Sequence, residues 1–478
     1  MTAGNDLPTP QAATPSRHAS SHAASHAASK AASRARHSER RDARHRAAAV
    51  RAARRRGRLR LAGVLLVGAL VTALVFSLGG STGHDPKGAA APKRTPRTPA
   101  VAPLVRSTMS SVVIPGKPVA LPFPHAGEGA AMVSGVGIVA STKNEKSVPV
   151  ASVTKIMTAY LVLKDHPLVG DAGGPTFVMT AADHQAWVVD AEANDSSVEV
   201  KTGERLDERQ LLQALMIPSA DNIADYLAAW DAGSTKAFVA KMNAAATALH
   251  LVGTHFADAS GINPGSRGNA VDVVRLASLA MQNPVLQSIV DEQFIRLPVT
   301  GEIWNTYDPV VGVDGIIGVK SGFTQAAETN LVTAAWRSVH GHRVMVVCDV
   351  LGQPNSLLGD GLNNEAVLNA VSAELRLRTI EPRQTVVGEA LTNWNHDTSA
   401  VRLASAVEVV GWPGLLLSPD VVAIAGTKVL PAKGWPAGST IGVFELRCAD
   451  GTASRAPVVL QSSIRPPPAG WTPPATGG

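Results

Sequence analysis

The run of apolar and polar positions divides the chain into segments of different character. Residues 1–49 hold almost no large apolar side chain, so they cannot bury enough surface to fold and read as disordered. Leu61 to Gly80 is the opposite: twenty residues, LAGVLLVGALVTALVFSLGG, without a charge. At helical rise that length spans a hydrocarbon core. Residues 81–103 are rich in Pro, Lys, Thr and Ala, the composition of an extended linker. From 104 to 380 the pattern is globular. Met132–Ser141 alternates as a strand does, and Thr142–Lys146 reads as a turn. Ile156, Met157, Tyr160, Leu161 and Leu163 recur at helical spacing just after Pro149, which predicts a buried helix. Further helices are predicted over Leu206–Met216, Ile223–Trp230, Lys236–His250 with Ser234 as N-cap, from Asn269 to Met281, and over Asn363–Leu377. Ile316–Val319, Leu331–Trp336 and Arg343–Val350 read as strands. Strands therefore open and close this region around a helical middle. From 381 to 466, short β-rich runs punctuated by Gly and Pro predict a small β domain, and 467–478 reads as a disordered tail.

Charge sharpens this division. The chain of 478 residues carries a net +6, but residues 1–60 alone hold 14 basic and 3 acidic residues, a net of +11, which leaves −5 for the rest. The basic character belongs to the tail, so the folded part has no electrostatic case for binding nucleic acid. The arginines at 51, 54, 55, 56, 58 and 60 precede the apolar run, which predicts a cytoplasmic N-terminus and everything after residue 80 outside the cell membrane. An uncleaved single-pass anchor over 61–80 is favoured over a signal peptide, because no Ala-x-Ala site follows it. Cys348 and Cys448 fall in different predicted domains; a disulfide and two separate thiols both remain open. No His/Cys cluster has metal spacing, and neither metal nor cofactor is expected.

The chemistry centres on Ser152 and Lys155. Residues at i and i+3 share a helix face, so hydroxyl and amine meet one turn apart, with Ser152 at the positive end of its helix. A serine hydroxyl needs a base to become a nucleophile, and a lysine is one only when neutral. Ser-x-x-Lys occurs once in the chain, no more often than chance allows, so its partners must carry the argument. Lys320-Ser321-Gly322, followed by Phe323, ends an apolar strand, where Gly322 would let backbone approach a ligand. Lys201-Thr202-Gly203 spells the same motif but reads as a turn before a helix. Ser219, with Asp221 and Asn222 close behind, stands at a helix–helix junction.

Ser152-x-x-Lys155, Ser219 67 residues on, and Lys320-Ser321-Gly322 101 residues further follow the order of the penicillin-interacting serine enzymes. The surrounding text, "VPVASVTKIMTAYLVL", "LLQALMIPSADNIADYLAAWDAGS", "THFADASGINPGS" and "GIIGVKSGFTQAAETNLVTAA", resembles D-alanyl-D-alanine carboxypeptidases of the low-molecular-mass penicillin-binding type, over about Met132 to Leu375. The resemblance implies an α+β, β-lactamase/DD-peptidase-like fold, an antiparallel sheet flanked by helices with a helical subdomain. It implies Ser152 as acylated nucleophile, Lys155 as its base and Ser219 as proton relay. It also implies Lys320 and Ser321 on the substrate carboxylate, with the N–H groups of Ser152 and Phe323 as oxyanion hole. Peptidoglycan stem peptides would be the substrate, β-lactams covalent inhibitors, and no cofactor is needed.

One position departs from the family pattern, Ser-x-Asn. Asp221 stands where the Asn is expected, with Asn222 one residue late. If Asp221 enters the cleft, its carboxylate opposes a neutral Lys155; if the helix start shifts, Asn222 fills the role and Asp221 caps the helix. The leading reading is an outward-facing carboxypeptidase. A catalytically impaired, wall-binding homologue comes next. A β-lactamase comes third: it needs a deacylating carboxylate, typically a Glu followed four residues later by Asn, and the only glutamates between Ser219 and Lys320, Glu292 and Glu302, are not so placed.

Overall fold

The computed structural model describes residues 104–142, 146–305, 310–354, 356–423 and 434–471. The basic tail, the apolar run 61–80, the linker, most of the 142–146 turn and the end of the chain lie outside the described residues. Among the described residues no helix is long and apolar enough to cross a membrane.

The larger domain is built on a five-stranded antiparallel sheet of β1 (Glu128–Val133), β2 (Gly137–Ser141), β3 (Ile316–Thr324), β4 (Glu328–Val339) and β5 (His342–Gln353), in the order β3-β4-β5-β1-β2. The single strand expected over Met132–Ser141 is instead a hairpin, turned at Gly135 with φ 72°. Its signal was blurred because every residue of β1 is buried, so alternation does not report the pleat there.

Among the described residues eight helices surround the sheet: α1 (Lys155–Asp165), α2 (Ala181–Glu192), α3 (Glu208–Met216), α4 (Asp221–Ala232), α5 (Thr235–Ala248), α6 (Ala270–Ala280), α7 (Pro284–Val290) and α8 (Leu357–Glu374). Opposite pleats of the sheet face different cores. Ala130, Met132, Val332, Ala334 and Val347 join the core with α1 and α6, whereas Ala131, Val133, Ala335, Val346 and Cys348 join the core with α8. Helix α1 is buried nearly all round and packs against α3, α4 and α6. Ser234 and Asn269 cap α5 and α6 as expected, accepting from the backbone of Ala237 and Asp272. Helix α8 starts six residues before the expected Asn363, because Ser356 caps it through Gly359 N–H; it stops at Glu374, and Arg376–Glu381 is a strand paired with Val407–Gly411.

The β-rich end of the chain is a seven-stranded antiparallel sheet. Its order is Leu104–Ser107, Val386–Leu391, Thr398–Leu403, Gly451–Leu460, Thr440–Cys448, Leu416–Ala423, Val112–Val113. Two of these strands precede the larger domain. The boundary drawn at 104 is therefore corrected: residues 104–113 lie in the C-terminal sheet, where Leu104 pairs with Leu391 and Val113 with Leu416. Four-residue and two-residue strands are too short to show which sheet they belong to, and only register across nearly 300 residues reveals it. Ile114, Trp412 and Leu415 share one apolar cluster with Val133 and Val139, so the domains are joined through a continuous core. Cys348 and Cys448 are not joined by a disulfide.

Candidate active site

Ser152 does not open an α-helix. It lies in a 3-10 turn, Ala151–Thr154, that leads into α1. Residues three apart eclipse in that geometry, and Lys155 Nζ donates to Ser152 Oγ at 3.0 Å. Ala151, just before it, is held at φ 47°, an uncommon state for a residue with a Cβ. Gly261 leaves room for it: its own φ is 93°, and a Cβ there would lie 1.8 Å from the Ala151 carbonyl oxygen.

Lys155 is 0 % exposed. Its ammonium has three donors and finds three acceptors: Ser152 Oγ, the Ser260 carbonyl oxygen at 3.0 Å, and the Asp221 carboxylate. The Ser260 carbonyl is presented by a loop tied to one side chain. The Asp258 carboxylate accepts from Ser260 Oγ, Gly261 N–H, Asn263 N–H and Ser266 Oγ. Asp258, Ser260 and Gly261 carry geometry that motif spacing did not single out, although all three sit inside the "ADASGINPGS" text.

Asp221 enters the cleft, and Asn222 does not replace it. Asn222 is turned the other way, accepting from Val198 N–H at 3.1 Å and donating to Val198 O at 3.0 Å. Burial raises the Asp221 carboxyl above its ordinary range, while the Lys155 charge pulls it back. Asp190, on α2, is pushed up to about 6 by burial and then by Asp221, Asp225 and Asp195. Ser219, at φ 64° between α3 and α4, is buried, and its Oγ has no hydrogen-bond partner among the described residues.

Strand β3 forms the opposite wall. A bulge between Ile316 and Gly318, with Gly318 at φ 79°, precedes Lys320 and resets its pleat. Lys320 and Gly322 then share a face. A Cβ on Gly322 would sit 2.9 Å from Val150 O and 3.0 Å from Ser152 N, so only glycine lets the strand lie this close to the 3-10 turn. Lys320 is buried and its charge reaches Asp221 across the cleft. Ser321 is buried, and Phe323 is 63 % exposed. Among the described residues β3 pairs with β4 alone, and its outer edge is open. Lys201-Thr202-Gly203 is an exposed turn whose lysine pairs with Glu199 at 3.6 Å, away from this wall.

The D-alanyl-D-alanine carboxypeptidase family model matches residues 132–354. A D-alanyl-D-alanine carboxypeptidase of Mycobacterium tuberculosis is 36% identical over 210 residues, covering 43% of this chain and 67% of that protein. Another from Streptomyces sp. is 34% identical over 226 residues, covering 44% and 76%. Among solved structures, penicillin binding protein 5 from Haemophilus influenzae aligns with 73% of this chain and 99% of its own at a TM-score of 0.54 and 17% identity, a likeness of fold. That span exceeds the larger domain, so the likeness takes in C-terminal strands as well. With two relatives above 30% identity matched over two thirds or more of their length, this chain belongs to the D-alanyl-D-alanine carboxypeptidase family of serine hydrolases.

Proposed function

We propose that this protein is a membrane-anchored, outward-facing D,D-carboxypeptidase that removes the terminal D-alanine from peptidoglycan stem peptides through an acyl-enzyme on Ser152. The observation that carries the reading is the 3.0 Å contact between Lys155 Nζ and Ser152 Oγ, beneath a strand whose Gly322 lies against Ser152 N. The substrate peptide pairs along the open edge of β3. Its terminal carboxylate meets Lys320 and Ser321. Ser152 Oγ attacks the carbonyl carbon of the D-Ala-D-Ala bond as its proton passes to neutral Lys155. The carbonyl electron pair moves onto oxygen, toward the N–H groups of Ser152 and Phe323. Collapse expels the terminal D-alanine amine, which takes the proton through Lys155 and Ser219. Water then hydrolyses the ester and restores Ser152. A β-lactam takes the same first step and stays bound as an ester.

Intact-mass measurement after exposure to penicillin tests the nucleophile. The native chain is expected to gain one adduct on Ser152, and Ser152→Ala none; an adduct on the Ala variant overturns the assignment. D-alanine release from a D-Ala-D-Ala peptide tests the activity. Protease added outside intact cells tests the topology: residues after 80 should be digested and the basic tail protected.

A further inference from the structure

We propose that Asp258 is a positioning residue for acyl transfer: through the loop it gathers, it aims the lone pair of Lys155 at the Ser152 hydroxyl. This deepens the carboxypeptidase reading and rests on Ser152 as nucleophile and Lys155 as base. Three groups surround Lys155 Nζ: the Ser152 hydroxyl at 3.0 Å, the Ser260 carbonyl oxygen at 3.0 Å and the Asp221 carboxylate. The carboxylate and the carbonyl can only accept, whereas the hydroxyl can also donate. Once neutral, the lysine keeps two N–H bonds and one lone pair. The N–H bonds go to the two pure acceptors, and the lone pair is left facing the one neighbour with a proton to give, Ser152 Oγ. Such geometry, before basicity, makes a general base competent. Without the Ser260 carbonyl the amine would turn about its Cε–Nζ bond and the lone pair would lose its aim.

Ser260 lies between α5 and α6, outside any helix or strand, so no ladder holds its carbonyl in place. One carboxylate does so instead. Asp258 Oδ1 accepts from Gly261 N–H and Ser266 Oγ, and Oδ2 accepts from Ser260 Oγ and Asn263 N–H, so each oxygen serves two donors. These bonds stabilise a charge that no ion pair engages among the described residues. The gathered loop then meets the catalytic elements at three more points. Thr158 Oγ1, one helical turn past Lys155 on α1, donates to Ala259 O at 2.7 Å. Gly261 lies against the Ala151 carbonyl and Thr154 Oγ1. Val150 N–H, two residues before Ser152, donates to Ser266 O at 3.2 Å. Asp258 thus ties the residue that steadies the amine to the residue that steadies the entry into the 3-10 turn. It acts through Ser260 and Ser266, with no hydrogen bond of its own to Ser152 or Lys155 among the described residues.

Penicillin acylation, followed by intact mass over a range of concentrations, separates positioning from binding. Asp258→Asn keeps the side chain's size but turns an amide nitrogen toward one pair of donors. Its first-order acylation constant at saturating penicillin should fall about 10- to 100-fold, with the half-saturating concentration within about twofold of native. The solvent isotope effect on acylation should grow, because proton transfer then limits the step. The adduct should still reach one per chain, which shows that the slow protein is folded. Ser266→Ala removes one of the four bonds and should slow acylation at least about threefold; it stands in for Asp258→Asn should that variant not fold. Asp225→Asn removes a carboxylate that acts on Asp258 through charge alone and should stay within about twofold of native. A native acylation constant in either folded loop variant, a fall matched by Asp225→Asn, or a fall with an unchanged isotope effect overturns the positioning role and leaves the nucleophile standing. No adduct on the native chain overturns the nucleophile and the positioning role with it.

Discussion

Asp221→Asn is expected to speed acylation by penicillin about tenfold, if the charge accounts for ~1.4 kcal/mol of the barrier. The Asp221 carboxylate is bound directly to the Lys155 amine, and Asn supplies an amide of nearly the same volume without the charge. Rates of adduct formation followed by mass, compared between the two forms, check this; an unchanged rate sinks it. Asn222→Ala should act differently. Val198 N–H and C=O both lose their partner, a cost of about 1–3 kcal/mol that a lower Tm would report. That Ser152, Lys155 and Lys320 gather at one cleft could be anticipated from order and spacing. Which of Asp221 and Asn222 turns inward could not, since it depends on the phase at which α4 begins. That phase is set by backbone bonds from Ala220 to Ala214 O and from Asp221 to Ser196 O, which leave no mark in a motif.

Secondary elements were legible where one face is buried and invisible where none is. Helices α3, α5 and α6 carry capped ends and apolar stripes. Helix α2 has no buried residue, so its Thr180–Asp183 capping box is the one mark it leaves in the sequence, too little to predict it. Two element-level predictions follow from contacts rather than pattern. Gly261→Ala should cut D-alanine release at least tenfold, because the new methyl group would press on the Ala151 carbonyl and shift the turn that carries Ser152. Measured release within twofold of native would show that the turn tolerates the shift. Glu208 opens α3, where helix polarity favours a carboxylate, yet it is 1 % exposed and burial, then Asp207, raises it to about 7. A folded-state value above the unfolded one means stability present at acidic pH and lost as pH rises through about 7. Glu208→Gln should therefore raise Tm at pH 8 by about 2–4 °C and change it little at pH 4, below the unfolded carboxyl's own range. Equal shifts at both pH values would contradict the assigned cause.

At the scale of the molecule, the α+β core and its β-rich partner were legible from periodicity, but their connection was not. Residues 104–113 join the second sheet, and one apolar cluster runs from Val133 and Val139 through Ile114 to Leu415. Full-length protein should unfold in a single calorimetric transition. A chain ending at residue 380 should aggregate or melt more than 10 °C lower, since it would strip cover from that cluster (roughly 25 cal/mol per Å² exposed) and leave Leu104–Ser107 without Val386–Leu391. Two separated transitions would argue for independent domains.

The placement of Leu104–Ser107 also has a mechanical meaning. If residues 61–80 tie the chain to a membrane, tension on the linker first reaches the ladder between Leu104–Ser107 and Val386–Leu391. A pull along the strand loads those hydrogen bonds in shear, together, while the turn holding Ser152 lies further along the chain. The sheet would then act as a strain relief, so that a cell wall moving against its membrane tugs on the C-terminal sheet and leaves the spacing of Ser152 and Lys155 undisturbed.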